Sequence, residues 1–232
     1  MWQKILKNLG LIPLSQIERL TPVEQKVVKD VRAFSMLSAD RLANLLVLAQ
    51  EIEARKLSGD MIECGSCRGG SGAVLAYVVK KARWKRKIWL LDSFAGHPKP
   101  KKRRGVDTKL MKEWAGTMVA SKQDVVKALK TVDSYEPAKV KIVGGWFQES
   151  VPKLKLKELS LVHIDADWYE STVYCLNELF DKLVPRGFVV VDDYAGGDFP
   201  GVAQAVNEFF AKRQRQIAEK FVVPPALVIR KQ

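Results

Sequence analysis

Cysteine and histidine are scarce in this chain, at three and two in 232 residues. The odd cysteine count completes no disulfide framework. Cys64 and Cys67 form a C-x-x-C, but no second Cys/His pair exists to finish a tetrahedral zinc site. A redox role would need a thioredoxin-like pattern around the pair, and that is absent, so reduced thiols are expected. Long apolar runs are missing as well. None approaches the roughly 18 residues of a spanning helix, so no transmembrane segment is expected. The first residues mix lysines with apolar side chains but lack the apolar block and small-residue cleavage site of a secretory signal. A cytoplasmic location is the expectation. No Ser/Gly-rich linker or internal repeat divides the chain. With 47% hydrophobic content, its length suits one sizeable α/β core, a single domain over residues 1–232.

Acidic residues are in deficit, 26 Asp+Glu against 39 Lys+Arg, for a formal charge of +13. The excess gathers in two runs, Lys80 to Lys87 and Lys99 to Arg104. Such runs either face a polyanion or acidic-lipid surface, or are solvated as a helix end and a loop. No aromatic–basic interleaving, RNA-binding signature or zinc-finger spacing marks a nucleic-acid site.

The most informative stretch runs from Leu161 to Tyr194. Two short apolar runs each end in acid, Asp165 with Asp167 after the first and Asp192-Asp193 after the second. A helix-length segment and a Pro185-Arg186-Gly187 turn separate them. This pattern predicts a strand–helix–strand crossover, hence two parallel strands in right-handed connection. Parallel strands finish at one edge of the sheet, where ligands of open α/β sheets bind. Two carboxylates about 5 Å apart repel by roughly 3 kcal/mol at an effective dielectric of 20. The group therefore needs protonation, an arginine or a metal ion, and a divalent-cation site is the working reading.

Upstream, residues 1–58 read as a helical N-terminal cap ahead of a catalytic core over 59–232. Thr21-Pro22-Val23-Glu24 is a capping box with proline at the first helical position. Ser38 is a second helix start, before Leu42, Leu45, Leu46, Leu48 and Ala49. From Asp60 the pattern alternates between strands and helices. A first strand, Met61 to Cys64, enters the turn Gly65-Ser66-Cys67-Arg68-Gly69-Gly70-Ser71-Gly72, with a helix from about Ala73. Glycines there let a ligand approach the backbone, although the spacing is neither G-x-G-x-x-G nor a phosphate loop. Ile88 to Leu91 form the second strand, ending in Asp92, which suits hydrogen bonding to both ribose hydroxyls of a nucleoside. Lys99 to about Gln123 is long enough for a lid. Val140 to Val143 form the third strand, followed by Trp146 and Phe147, which face either an adenine ring or the core. His97 is given no role. The chain closes on a terminal hairpin, for about seven strands in all.

A glycine turn after strand one and an acid after strand two resemble the S-adenosylmethionine (SAM)-dependent class I methyltransferases. The motifs MIECGSCRGGSG, LLDSFAGHP, HIDADWYEST and GFVVVDDY resemble, more narrowly, the macrocin O-methyltransferase (TylF-like) family. SMLSADRL is a weaker match, and the likeness covers roughly residues 33 to 210. It implies a Rossmann-like α/β fold with a seven-stranded, mostly parallel sheet and a terminal antiparallel strand. It also implies SAM as methyl donor, magnesium as metal and a hydroxyl, typically on a sugar, as acceptor. By resemblance, Glu63, Gly65, Gly69, Gly70 and Ser71 fall on the cofactor loop and Asp92 with Ser93 on the ribose contact. Asp165, Asp192 and Asp193 fall on the metal ligands, with Asp165 also the base. Three features depart from the family. Ala95 stands where an acid is usual, His97 where leucine is usual, and the Lys99–Arg104 run is not a family motif. The lysine base of more distant catechol-type enzymes has no counterpart, since Trp168 occupies its place.

The expected chemistry is metal-dependent methyl transfer to a small-molecule hydroxyl, with the metal depressing the acceptor pKa and Asp165 taking the proton. Holding both substrates in attack geometry would supply much of the remaining acceleration. Two alternatives come from other classes. Asp165-Ala166-Asp167 is a D-x-D, as in nucleotide-sugar glycosyltransferases, and a methyltransferase-like scaffold could bind an anionic partner through its basic loop. The N-terminal helices are a candidate homo-oligomer interface.

Overall fold

A computed structural model describes residues 17–83, 85–99 and 106–232. The first 16 residues of the expected N-terminal cap, and all of the Lys99–Arg104 run beyond Lys99, lie outside the described residues. Helix α1 (Pro22–Val31) begins where expected, with Thr21 and Glu24 completing the capping box. Helix α2 (Ala39–Ala54) is capped by the Ser38 side chain, which accepts from Arg41 N–H. The chain then alternates through β1 (Asp60–Cys64), α3 (Gly70–Lys81), β2 (Ile88–Asp92), α4 (Thr108–Trp114), α5 (Lys122–Thr131), β3 (Val140–Gly144) and α6 (Phe147–Ser150). It finishes with β4 (Leu159–Ile164), α7 (Tyr169–Leu179), β5 (Leu183–Val191), α8 (Pro200–Ala211), β6 (Ile217–Val223) and β7 (Ala226–Lys231).

The seven strands form one sheet in the order β3-β2-β1-β4-β5-β7-β6. Strands β1 to β5 pair in parallel, while β7 inserts antiparallel between β5 and β6. The order reverses between β1 and β4, which creates a topological switch point at their carboxyl ends. Strand side chains alternate between two cores, as the period of two requires. Met61, Leu90, Leu161 and Val190 pack with α1, α2, α3 and α5. Ile62, Leu91, Val162 and Val191 pack under α7 and α8. Helices α1 and α2 therefore belong to one of the two helical layers, with Val28, Val31, Leu42 and Leu46 buried in its core.

Two local expectations shift. Helix α3 starts at Gly70 rather than about Ala73, because Gly69 at φ +89° closes the turn directly at the helix N-cap. Pro185-Arg186-Gly187 is not a turn before the strand but lies inside β5, where the pairing with β4 slips register. A bulge absorbs the extra residues without ending the strand.

Candidate functional site

The carboxyl edge is stitched by backbone bonds from one loop to the strand beside it. Gly65 N–H donates to Leu91 O, Asp165 N–H to Cys64 O, Asp192 N–H to Ile164 O and Gly145 N–H to Asp92 O. These bonds help set the five strand-end loops of the parallel strands around a cavity of about 830 Å³. The glycine turn forms one wall. At Gly65, φ is +100° and a Cβ would stand 1.8 Å from the Asp165 carbonyl oxygen, so only glycine lets the two loops approach. Asp92 ties this turn to the next loop: one oxygen accepts from Cys67 N–H at 2.7 Å and the other from Phe94 N–H at 2.8 Å. Burial pushes the Asp92 carboxyl up from its usual range, and burial with the Asp92 charge pushes the Cys67 thiol up.

The residues expected on the cofactor loop divide. Gly65, Ser71, Asp92 and Ser93 line the cavity, together with Phe34, Met36, Trp146 and Phe147. Glu63, Gly69 and Gly70 do not. Glu63 is wholly buried behind the turn, where Oε1 meets His163 Nδ1 at 2.8 Å and Oε2 has no partner. Because Glu63 and His163 are register partners on β1 and β4, their side chains fall on the same face of the sheet. Gly70 is packed by the protein itself, since a Cβ there would lie 2.6 Å from Ser35 Cβ.

The acids assemble somewhat differently from the sequence reading. Oxygens of Asp165, Asp167 and Asp193 lie within 4.8 Å of one another and face the cavity. Asp192 is buried, its Oδ2 taken by the Arg41 guanidinium from α2 and its Oδ1 without a partner. Arg41 Nη1 also lies 3.9 Å from Asp193. Asp167 thus joins the group from which the sequence reading had omitted it, and Asp192, which lines the same cavity, is the arginine's partner. The left-handed backbone at Asp167 and Asp193, each at φ +59°, is a conformational detail that strand-end patterns do not reveal. Crowding has the expected electrostatic result. Burial and the neighbouring Asp192, Asp167 and Asp193 charges hold Asp165 well above the usual carboxylate range. Burial, with Asp192 and Asp167, pushes Asp193 up to about 8. At Asp192, burial outweighs the opposing Arg41 and the carboxyl is again raised. Four crowded carboxyls against one arginine make an oxygen-rich site suited to a hard divalent cation.

One neighbour of the acids escaped the sequence reading. His97 Nε2 lies 2.9 Å from Asp167 Oδ2. Its ring also packs against Trp114 at 5.8 Å and Trp168 at 5.1 Å, and Phe199 joins both tryptophans. An aromatic wall therefore stands beside the acids, and the histidine in place of the family's usual leucine was its only sequence signal. The long segment after Lys99 carries α4 to this wall. It is anchored by buried Asp107, which accepts from Tyr169 N–H at 2.6 Å and Gly201 N–H at 3.1 Å, the first turns of α7 and α8.

The family model described as macrocin O-methyltransferase (TylF) matches residues 19–222. The 8-demethyl-8-(2,3-dimethoxy-alpha-L-rhamnosyl)-tetracenomycin-C 4'-O-methyltransferase of Streptomyces olivaceus is 31% identical over 165 residues, 70% of this chain and 63% of its own length. The matched stretch is therefore less than two thirds of that relative. Demethyldecarbamoylnovobiocin O-methyltransferase of Streptomyces niveus is 28% identical over 183 residues, 78% of this chain and 69% of its own. Among solved structures, the O-methyltransferase NovP superposes with a TM-score of 0.76 at 26% identity, covering 90% of this chain and 88% of that one. The calicheamicin methyltransferase CalS11 shares the fold, with a TM-score of 0.63 at 18% identity over 91% of this chain and 93% of that one.

Proposed function

The chain belongs to the macrocin O-methyltransferase (TylF) family, and from that premise we propose that it transfers a methyl group from SAM to a hydroxyl of a small molecule. A sugar or glycosylated metabolite is the proposed acceptor, as the rhamnosyl group in the name of the first relative suggests. A divalent cation, magnesium first, is proposed to assist. The observation that carries this reading is the meeting, in one cavity, of Asp92 and the glycine turn with the acidic cluster.

The residues fit both groups. Asp92 spends one interaction per oxygen on backbone N–H groups, and a carboxylate oxygen has a further lone pair for a ribose hydroxyl. Met36, Trp146 and Phe147 supply apolar wall for a nucleoside on the same cavity. Asp165, Asp167 and Asp193 would hold the cation, with Asp192, whose Oδ1 is unpartnered, lining the same cavity. A bound magnesium lowers the pKa of an oxygen ligand, and SAM brings an activated methyl group. Asp165 stands at the end of β4, on the cavity beside the other acids, as the group to receive the acceptor's proton. His97 orients Asp167, and the Trp114, Trp168 and Phe199 rings exclude water from one side of the acids. The D-x-D carboxylates do face one cavity, but a glycosyltransferase reading leaves the glycine turn and Asp92 without a task.

The test pairs binding with turnover. Asp165→Ala should lower methyl transfer by on the order of 10²–10⁴-fold while demethylated SAM still binds, as loss of a positioned base predicts. Calorimetric titration with that product, followed by a hydroxyl-acceptor screen with and without chelator, measures both. Normal turnover by the variant would refute the base assignment, and transfer untouched by complete metal removal would refute the cation.

A further inference from the structure

A second cavity, also about 830 Å³, opens at the opposite, amino edge of the sheet. Three connections that lead into parallel strands build it: the one entering β1 with Lys56, the one entering β2 with Lys85 and Lys87, and the one entering β4 with Lys153, Lys155 and Lys157. The last has a simple cause. Lys153 closes a 3-10 turn (Val151–Lys153), and beyond it Leu154 and Leu156 pack against the core, which leaves Lys153, Lys155 and Lys157 exposed. Three ammonium groups therefore stand on one short segment of the lining.

Cationic side chains outnumber carboxylates in the lining by seven to three. Glu53 accepts from Arg86 Nε at 2.5 Å, and Asp60 accepts from Lys87 N–H at 2.8 Å and Trp89 Nε1–H at 2.9 Å. Arg86 is buried and also donates to Gly59 O, Leu57 O and Ser160 Oγ, so it pins the floor. Glu158 is the third carboxylate of the lining. Lys56, Lys85, Lys153, Lys155 and Lys157 have no ion-pair partner among the described residues. A concave surface with an excess of charge of one sign concentrates field lines and counter-ions. Lysine ammonium groups act as point charges toward phosphate, and several together match a multiply charged anion.

We propose that this cavity binds a multiply charged phosphate group, carried by a soluble phosphate ester or by an anionic lipid headgroup. It gives a use to the basic run ending at Lys87, which methyl transfer leaves unexplained. Strands of five residues, about 15 Å long, separate it from the acidic cluster. The proposal is therefore independent of the catalytic reading.

The probe is tripolyphosphate, titrated calorimetrically into the full chain at low and high salt. Binding that weakens as salt rises is expected. In Lys153→Ala/Lys155→Ala/Lys157→Ala it should fall by about tenfold, the loss of three exposed ion pairs. A second triple variant, Lys29→Ala/Lys212→Ala/Lys220→Ala, removes the same charge from exposed positions elsewhere and should bind like the wild type. Sedimentation with phosphatidylcholine vesicles containing phosphatidic acid separates the sources. Tripolyphosphate binding alone assigns a soluble ester, and co-sedimentation lost in the first variant assigns a headgroup as well. The proposal is overturned if tripolyphosphate fails to bind, or if both triple variants weaken it equally. It also fails if vesicles are bound while the soluble anion is not.

Discussion

Gly65 is the residue on which the two halves of the site depend. Its positive φ and the 1.8 Å approach of a hypothetical Cβ to the Asp165 carbonyl leave no room for a side chain. Gly65→Ala should therefore combine backbone strain with a clash and cost roughly 2–5 kcal/mol, readable by urea denaturation. A loss under 1 kcal/mol would mean that the β1 and β4 loops separate readily, contrary to the close packing seen. Glu63 carries a different lesson. Its place before the glycines suggests a ligand contact, yet the strand register gives it His163 as neighbour and a buried location. Trp168 was notable in the sequence only for not being lysine. In three dimensions it is 2% exposed and forms the centre of the aromatic wall.

At the scale of elements, one carboxylate ties the start of α4 to two other helices. Asp107 satisfies N–H groups at the first turns of both α7 and α8, where a negative charge also faces the positive ends of the two helices. Asp107→Ala should cost about 1–3 kcal/mol, as loss of a helix cap does. It should also raise the acceptor KM while leaving binding of demethylated SAM within about twofold, since the side-chain bonds of Asp107 go to α7 and α8 and not to the glycine turn. Equal weakening of both ligands would place the α4 segment over the nucleoside rather than the acceptor. Helix α2 is held in a comparable way by the Arg41–Asp192 pair at the end of β5. The starts of α1 and α2 were legible because the capping residues act locally. The bulge in β5 was not, since Pro185-Arg186-Gly187 has turn chemistry and only pairing with β4 keeps it in the strand.

For the whole molecule, the acidic cluster couples stability to pH. Asp193 has an ordinary value of 3.8 and is pushed up to about 8 in the fold, so between those values the cation-free folded state holds a proton that the unfolded chain releases. Stability contributed by that proton is present at low pH and lost as pH rises through about 8. In chelator, the melting temperature of Asp193→Asn should overtake that of the wild type between pH 5 and 8, by about 4 °C or more at the upper end. Magnesium bound as proposed should reverse the order at pH 8, the ion replacing the proton on the folded cluster. Parallel melting curves for the two proteins across this range in chelator would show that the carboxyls do not repel as their spacing implies.

The sequence by itself determined the alternation of strands and helices, the parallel crossover from β4 to β5, and the edge at which the acids gather. Those follow from periodicity, caps and handedness, which act within a few tens of residues. It also placed Asp92 beside the glycine turn, since consecutive strands of such a sheet end together. Only the tertiary structure decided which acids face one another, because left-handed backbone at Asp167 and Asp193 and the arrival of Arg41 from a distant helix set the carboxylate directions. It likewise brought His97 to Asp167, 70 residues away, and three separate lysine-bearing connections to one cavity. Side-chain direction across long separations is a property of packing, and no local pattern encodes it.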